Sequence, residues 1–361
     1  MKSLQIAIQT KTPVLLWGSP GTGKTSFINQ LAQTLGWHLE VVLASIREPS
    51  DFAGLPIIGK EGVRMEPPAW AKNLAQAGNG ILFLDEISTA PPAVQAALLR
   101  VVLDRVVGDL PLPEGVAVVA AANPPEEAAG GWDLSAPLAN RFCHLYWQVN
   151  PDTWVQGMLD GFNSPEIIVL PGNWENLIPA QRVLVASFIR HRRHLLMQVP
   201  KDESQAGKAW ASPRSWSMAA RLMAGAEAVG EEDTIPELIA GCVGEGVAYE
   251  FLAWKKNLDL PNPEDILANP QKFILPNRGD KAFAVLSSVV AYAVNNMSRK
   301  MWDAAWQVII LASQQGGKDI AASVVPPLAK AKKPDFPIPK GILEFQDILR
   351  KGGLLDEQSS R

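Results

Sequence analysis

Eight residues, Gly18-Ser-Pro-Gly-Thr-Gly-Lys24-Thr25, constrain this chain more than any others. They match G-x-x-x-x-G-K-[ST] without a gap. The apolar run 13–17 (Pro-Val-Leu-Leu-Trp) precedes them, and Phe27, Ile28, Leu31 and Leu35 follow at helical spacing until Gly36. Strand, glycine loop and helix in that order are expected to build an anion cradle. Glycines let backbone N–H groups turn inward on phosphates, Lys24 reaches the outer phosphates, and Thr25 offers a hydroxyl to Mg²⁺. The candidate binding set is Gly18, Ser19, Pro20, Gly21, Thr22, Gly23, Lys24, Thr25 and Ser26.

Further strands are predicted at 39–44, 81–84, 116–122 and 144–148, with helices at 70–77 and 92–103. Continuous apolar strands alternating with helices imply a parallel sheet covered on both faces, an α/β P-loop fold. The run Ile81-Leu-Phe-Leu-Asp85-Glu86 ends in two carboxylates at the strand tip, where open α/β sheets bind ligands. Asp85 is expected to hold Mg²⁺ through water, and Glu86 to take a proton from an attacking water. Beyond residue 151 the pattern becomes all-helical, with helices predicted at 179–198, 215–229, 235–257, 282–296 and 300–313. The expected division is an α/β domain over 1–155, a helical lid over 175–257, further helices over 258–325, and a Pro/Lys-rich linker and tail over 326–361. A short amphipathic piece is expected at 342–349.

Three more motifs follow in order: Asn123 at the tip of the 116–122 strand, Leu138-Ala-Asn-Arg141-Phe142, and Ser212-Pro-Arg214 opening a helix. Together with the loop and the carboxylate pair, they resemble the MoxR group of AAA+ ATPases over roughly residues 1–255. The resemblance implies ATP with Mg²⁺ as cofactors, hydrolysis of ATP, and a homo-oligomeric ring, usually a hexamer, with ATP between subunits. It implies a first sensor at Asn123, an arginine finger at Arg141 and a second sensor at Arg214, acting in its own subunit or across the interface. Arg100 and Arg105 compete for the finger role. Hairpins predicted around 57–65 and 106–112 are similar to the family's inserts and are expected to touch substrate or partner. The implied partner is a von Willebrand factor A-like protein, and the implied work is chaperone-like remodelling or activation.

Composition narrows the alternatives. The chain has 361 residues, 33 Lys+Arg against 37 Asp+Glu, 47% hydrophobic and 19% charged residues. That is too apolar for an extended disordered protein. It is also too nearly neutral for a chain that coats nucleic acid, so a nucleic-acid-acting motor or loader is the weaker alternative. A scaffold that ATP merely locks is a third. Cys143 and Cys242 form no zinc or disulfide pattern, no signal peptide or membrane span is read, and a cytoplasmic location is expected. The cluster Arg190-His-Arg-Arg-His194 wraps around its helix and suits a solvated face or an anionic partner; His191 and His194 lack a third metal ligand. Of twelve tryptophans, Trp17 directly before the loop is the candidate to pack beside a nucleotide.

Overall fold

The computed structural model describes residues 1–337 except 61, 125–126, 128–131, 163–164 and 259, together with 341 and 345. Apart from Phe345, the piece expected at 342–349 lies outside the described residues, as does the tail beyond it. Two compact units emerge, one formed by Met1–Glu175 with Leu195–Tyr249, the other by Asn176–His194 with Glu250–Arg361.

The first unit begins with α1 (Lys2–Gln9), β1 (Val14–Trp17) and α2 (Lys24–Leu35). Then come β2 (His38–Leu43), α3 (Ser50–Ala53), β3 (Leu55–Gly59), β4 (Gly62–Glu66) and α4 (Ala69–Ala77). β5 (Asn79–Asp85), α5 (Pro92–Asp104), β6 (Val106–Val107) and β7 (Leu110–Pro111) lead to β8 (Gly115–Ala122), α6 (Ala136–Ala139) and β9 (Cys143–Tyr146). β2, β5, β8, β1 and β9 lie in that order in one sheet, every pair parallel. Ile81–Leu84 and Val116–Ala122 are buried throughout, which is why their sequences are continuously apolar rather than alternating.

The two predicted hairpins form separate antiparallel pairs, β3 with β4 and β6 with β7. They are docked on one another. A Cβ on Gly108 would lie 2.5 Å from the Met65 carbonyl, and one on Gly54 would lie 2.8 Å from the Gly108 Cα. Met65 N–H donates to Asp109 Oδ2 at 2.7 Å, and Asp109 N–H donates to Met65 O at 3.0 Å. Ile58 and Val63 stay exposed on the first hairpin.

After β9 come α7 (Pro151–Asp160), α8 (Ile178–His191), α9 (Glu203–Ala206), α10 (Pro213–Ala228), α11 (Ile235–Val243) and α12 (Glu245–Lys256). The helix predicted over 235–257 is two helices, because Gly244 at φ +87° breaks it. The one predicted over 179–198 ends at His191, and Arg193–Leu195 tightens into a 3₁₀ turn. Segment 175–257, expected as a single lid, is shared between the units. Aromatic packing accounts for this: Phe188 of α8 meets Phe251 and Trp254 at ring separations of 5.2 and 5.4 Å, all within the second unit.

α13 (Pro263–Ala268), α14 (Gly279–Asn295), α15 (Arg299–Ala312) and α16 (Lys318–Lys330) complete that second unit around Trp302 and Trp306. Residues 326–330, expected to begin an extended linker, instead finish α16 with Pro326 and Pro327 inside it. Burial of Val324, Val325 and Leu328 in the same core compensates the lost amide donors. Among the described residues no helix is long and apolar enough to cross a membrane.

Helix α11 crosses β9 at Gly241, where a Cβ would lie 2.3 Å from the His144 carbonyl oxygen. Gly241→Ala should therefore lower the unfolding free energy by about 1–3 kcal/mol. Gly246→Ala, at an exposed helical position with open space around it, should raise it by roughly 0.5–1 kcal/mol. Urea denaturation of both variants checks this; equal effects would contradict the packing account.

Candidate functional site

The parallel sheet places the tips of β1, β5 and β8 side by side. Trp17 pairs with Ala122 and Tyr146 in register, and Gly18 N–H donates to Ala122 O at 3.1 Å, so the loop leaves the sheet beside the start of the Asn123 segment. Gly21 at φ +75° and Gly23 at φ +89° have open space where a Cβ would stand. Glycine is required there by backbone conformation, since a left-handed turn strains any other residue. Gly18 is required by closeness, because a Cβ would meet Trp147 O at 2.9 Å. Thr22 Oγ1 donates to Ser19 O at 2.7 Å, and Ser19 Oγ donates to Glu127 Oε1 at 3.0 Å.

Lys24 is buried, and its ammonium donates to the Gly18 and Ser19 carbonyls at 2.6 and 2.9 Å. Burial pushes its pKa down, while Asp85 and Glu127 push back. Thr25 Oγ1 donates to Asp85 Oδ2 at 2.9 Å across 60 positions of sequence. That contact joins the glycine loop to the carboxylate tip of β5. Glu86 follows in a left-handed conformation (φ +56°), and its Oε2 accepts a 2.6 Å bond from Ser45 Oγ, just beyond β2. Asn123 N–H donates to Ser88 Oγ at 3.3 Å, tying the tip of β8 to the turn after Glu86.

Arg141 lies two residues before Cys143, which pairs with Val14 at the start of β1 while the loop leaves its end, and among the described residues no hydrogen bond links Arg141 or Arg214 to the loop. Arg141 donates through Nη1 to Pro137 O, and its Nε is buried without a partner. Burial lowers its pKa, the nearby Arg214 charge lowers it further, and Asp104 offsets part of this. The segments that carry the two arginines are joined, since Ser212 Oγ donates to Asn140 Oδ1 at 2.6 Å. Arg105, the competing finger, bonds the Pro113 and Val116 carbonyls beside the N-terminal part of β8. Arg190 lies over the Phe283 ring at 4.6 Å, which fixes one member of the basic cluster in place. Among the described residues no group of three or more His, Cys, Asp or Glu could hold a metal.

A cleft of about 1330 Å³ opens beside the loop, lined among others by Gly21, Thr22, Gly23, Phe27, Trp147 and Trp154.

Residues 13–142 match the family model of the AAA domain, dynein-related subfamily. Over 146 residues the chain is 30% identical to the chaperone MoxR1 of Mycobacterium tuberculosis, covering 39% of this chain and 37% of that one. Over 107 residues it is 32% identical to the protein MoxR of Methylorubrum extorquens, covering 29% and 31%. This chain carries an AAA+ domain of the MoxR type. The Psp operon transcriptional activator of Escherichia coli is 34% identical over 122 residues, covering 31% of this chain and 37% of that one. The chain thus spans about a third of the length of these relatives.

Trp17 runs against expectation. The Trp17 indole points into the core, where its Nε1–H donates to His144 Nδ1 at 2.9 Å. Trp147 is the tryptophan on the loop instead, donating to Thr22 O at 3.0 Å with its ring 5.0 Å from that of Phe27. Strand alternation could have signalled this, since Trp147 follows β9 directly. Ser45 and Asn140 were also missed, being polar residues whose role appears only through partners 41 and 72 positions away.

His144 is fully buried, accepts from Trp17 and donates from Nε2 to Ala139 O, so it is neutral, its pKa depressed by burial to about 4. Unfolded, it titrates near 6.5. The unfolded chain then binds the extra proton between these values, and stability falls as pH drops from 6.5 toward 4. The His144 contribution is up to about 3 kcal/mol. His144→Gln should flatten that part of the pH–stability curve. A parent curve no steeper than the variant's would refute the neutral assignment.

Proposed function

We propose that the chain is an ATP-hydrolysing ring subunit of the MoxR type that couples turnover to remodelling or activation of a partner protein. The observation that carries this reading is the Thr25–Asp85 hydrogen bond, which brings a phosphate-cradling loop and a carboxylate strand tip to one point. Two hard oxygen donors there suit Mg²⁺. Thr25 and Asp85 would hold the ion, whose bound charge neutralises that of the phosphates. Gly18, Ser19, Pro20, Gly21, Thr22, Gly23 and Ser26 supply the cradle, and the Lys24 ammonium exchanges its carbonyl partners for the outer phosphates. Glu86 accepts the proton of the attacking water once Ser45 releases it, with Asn123 orienting that water.

Arg141 and Arg214 fit the finger and second-sensor roles. The Asn140–Ser212 bond joins the segments that carry them, and Arg141 lies near the start of β1 while the loop leaves its end, which supports action on the ATP of a neighbouring subunit in a homo-oligomeric ring, the hexamer being the family's usual form. The name of the M. tuberculosis relative supports a chaperone-like role. A von Willebrand factor A-like protein is the proposed partner, and the cytoplasm the proposed location. A nucleic-acid-acting motor gains nothing from charge, because acidic residues outnumber basic ones within the first 150.

Glu86→Gln should keep ATP binding and lower kcat by about 100-fold or more, the usual worth of a positioned base. Lys24→Ala should lose binding itself. Equilibrium binding of a fluorescent ATP analogue and phosphate release decide the matter; parent-rate turnover by Glu86→Gln would overturn the reading.

A further inference from the structure

We propose that Asn140 is a positioning residue that sets Arg141 and Arg214 on one shared base; the inference rests on the reading that both arginines act on nucleotide. Asn140 is 3% exposed and bonds in two directions. Its Nδ2 donates to Trp210 O at 2.8 Å, and its Oδ1 accepts from Ser212 Oγ at 2.6 Å. Ser212 is the N-cap of α10, and its hydroxyl also accepts from Ser215 N–H at 3.1 Å. Arg141 follows Asn140 directly, and Arg214 stands two residues beyond Ser212. One buried amide therefore ties the segment carrying the first arginine to the helix start carrying the second.

The chemistry requires an amide. Trp210 presents an acceptor and Ser212 a donor, so the clasp must donate at one end and accept at the other. A carboxylate would face the Trp210 carbonyl with a second acceptor, and an apolar residue would leave both groups unpaired in a buried place. The segment before Arg141 is held independently: Asn140 N–H donates to Ala136 O at 3.1 Å, and His144 donates to Ala139 O at 2.9 Å. Both arginine side chains are long and flexible, so their aim is set by how firmly their backbones are held relative to each other. A displacement of about 1 Å can cost a large part of a catalytic effect.

The test is a kinetic cycle on the full chain. Asn140→Ala should lower kcat for ATP about tenfold, with KM changed less than about twofold. In an Arg141→Ala/Arg214→Ala background, the same substitution should change kcat by less than about twofold, since nothing remains to be positioned. The near-isosteric Asn140→Asp should follow the same pattern, and near-UV circular dichroism checks that each variant folds. If neither Asn140 variant folds, Ser212→Ala carries the cycle from the other side of the clasp. An equal loss in both backgrounds would mean general structural damage and would overturn the proposal, as would parent kcat in the single variants. Glu86→Gln, run alongside, separates the two claims. If it stops turnover while the cycle is additive, only the role of Asn140 falls. If it leaves turnover at the parent level, the hydrolytic reading falls and the positioning role with it.

Discussion

Everything at the candidate site depends on parallel strand pairing. When β1, β5 and β8 run the same way in register, their C-terminal tips stop at one edge, and whatever each carries is delivered there. An antiparallel neighbour would send Asp85 to the opposite edge from Gly18. Thr25 and Asp85, 60 residues apart, meet at 2.9 Å because β8 alone separates β1 from β5. The strands can run this way only if both faces are covered, which explains why their sequences are apolar without alternation.

That constraint also explains how much of the fold was legible. A continuous apolar run ended by a glycine or a carboxylate carries both its strand identity and its tip chemistry in a few consecutive residues. Thus β1 with its loop, β5 with Asp85 and Glu86, and β8 with Asn123 could be read locally. The helical half offers no such punctuation. Amphipathic spacing locates α8, α10 and α14, yet it does not say which helices share a core. Phe188 could have faced any partner; that it meets Phe251 and Trp254, and so joins the second unit, is decided by packing between segments more than 60 residues apart. Gly244 shows the converse, a single conformational break hidden inside a convincing apolar period.

At the candidate site, the legible residues were those of the loop and the strand tips, and the illegible ones were those bonded to them. Ser45 and Trp147 have no motif of their own, and Asn140 stands in the Leu138–Phe142 motif without a partner that the motif names. Each is identified by a partner: Ser212 for Asn140, Glu86 for Ser45, Thr22 for Trp147. Polar residues of this kind are expensive to bury unpaired and cheap to bury paired, so their identity is fixed by tertiary contacts alone.

His144 makes the same point from inside the sheet. Its ring is caught between Trp17 at the end of β1 and the Ala139 carbonyl just before Asn140. A protonated imidazole would present a donor to Trp17's donor, so the neutral tautomer is the one that keeps both bonds. The last residue before the glycine loop is thereby bonded to the strand that follows Arg141. Parallel pairing brings the strand tips together, and this chain of buried polar contacts then fixes the segment that bears the arginine against the segment that bears the loop.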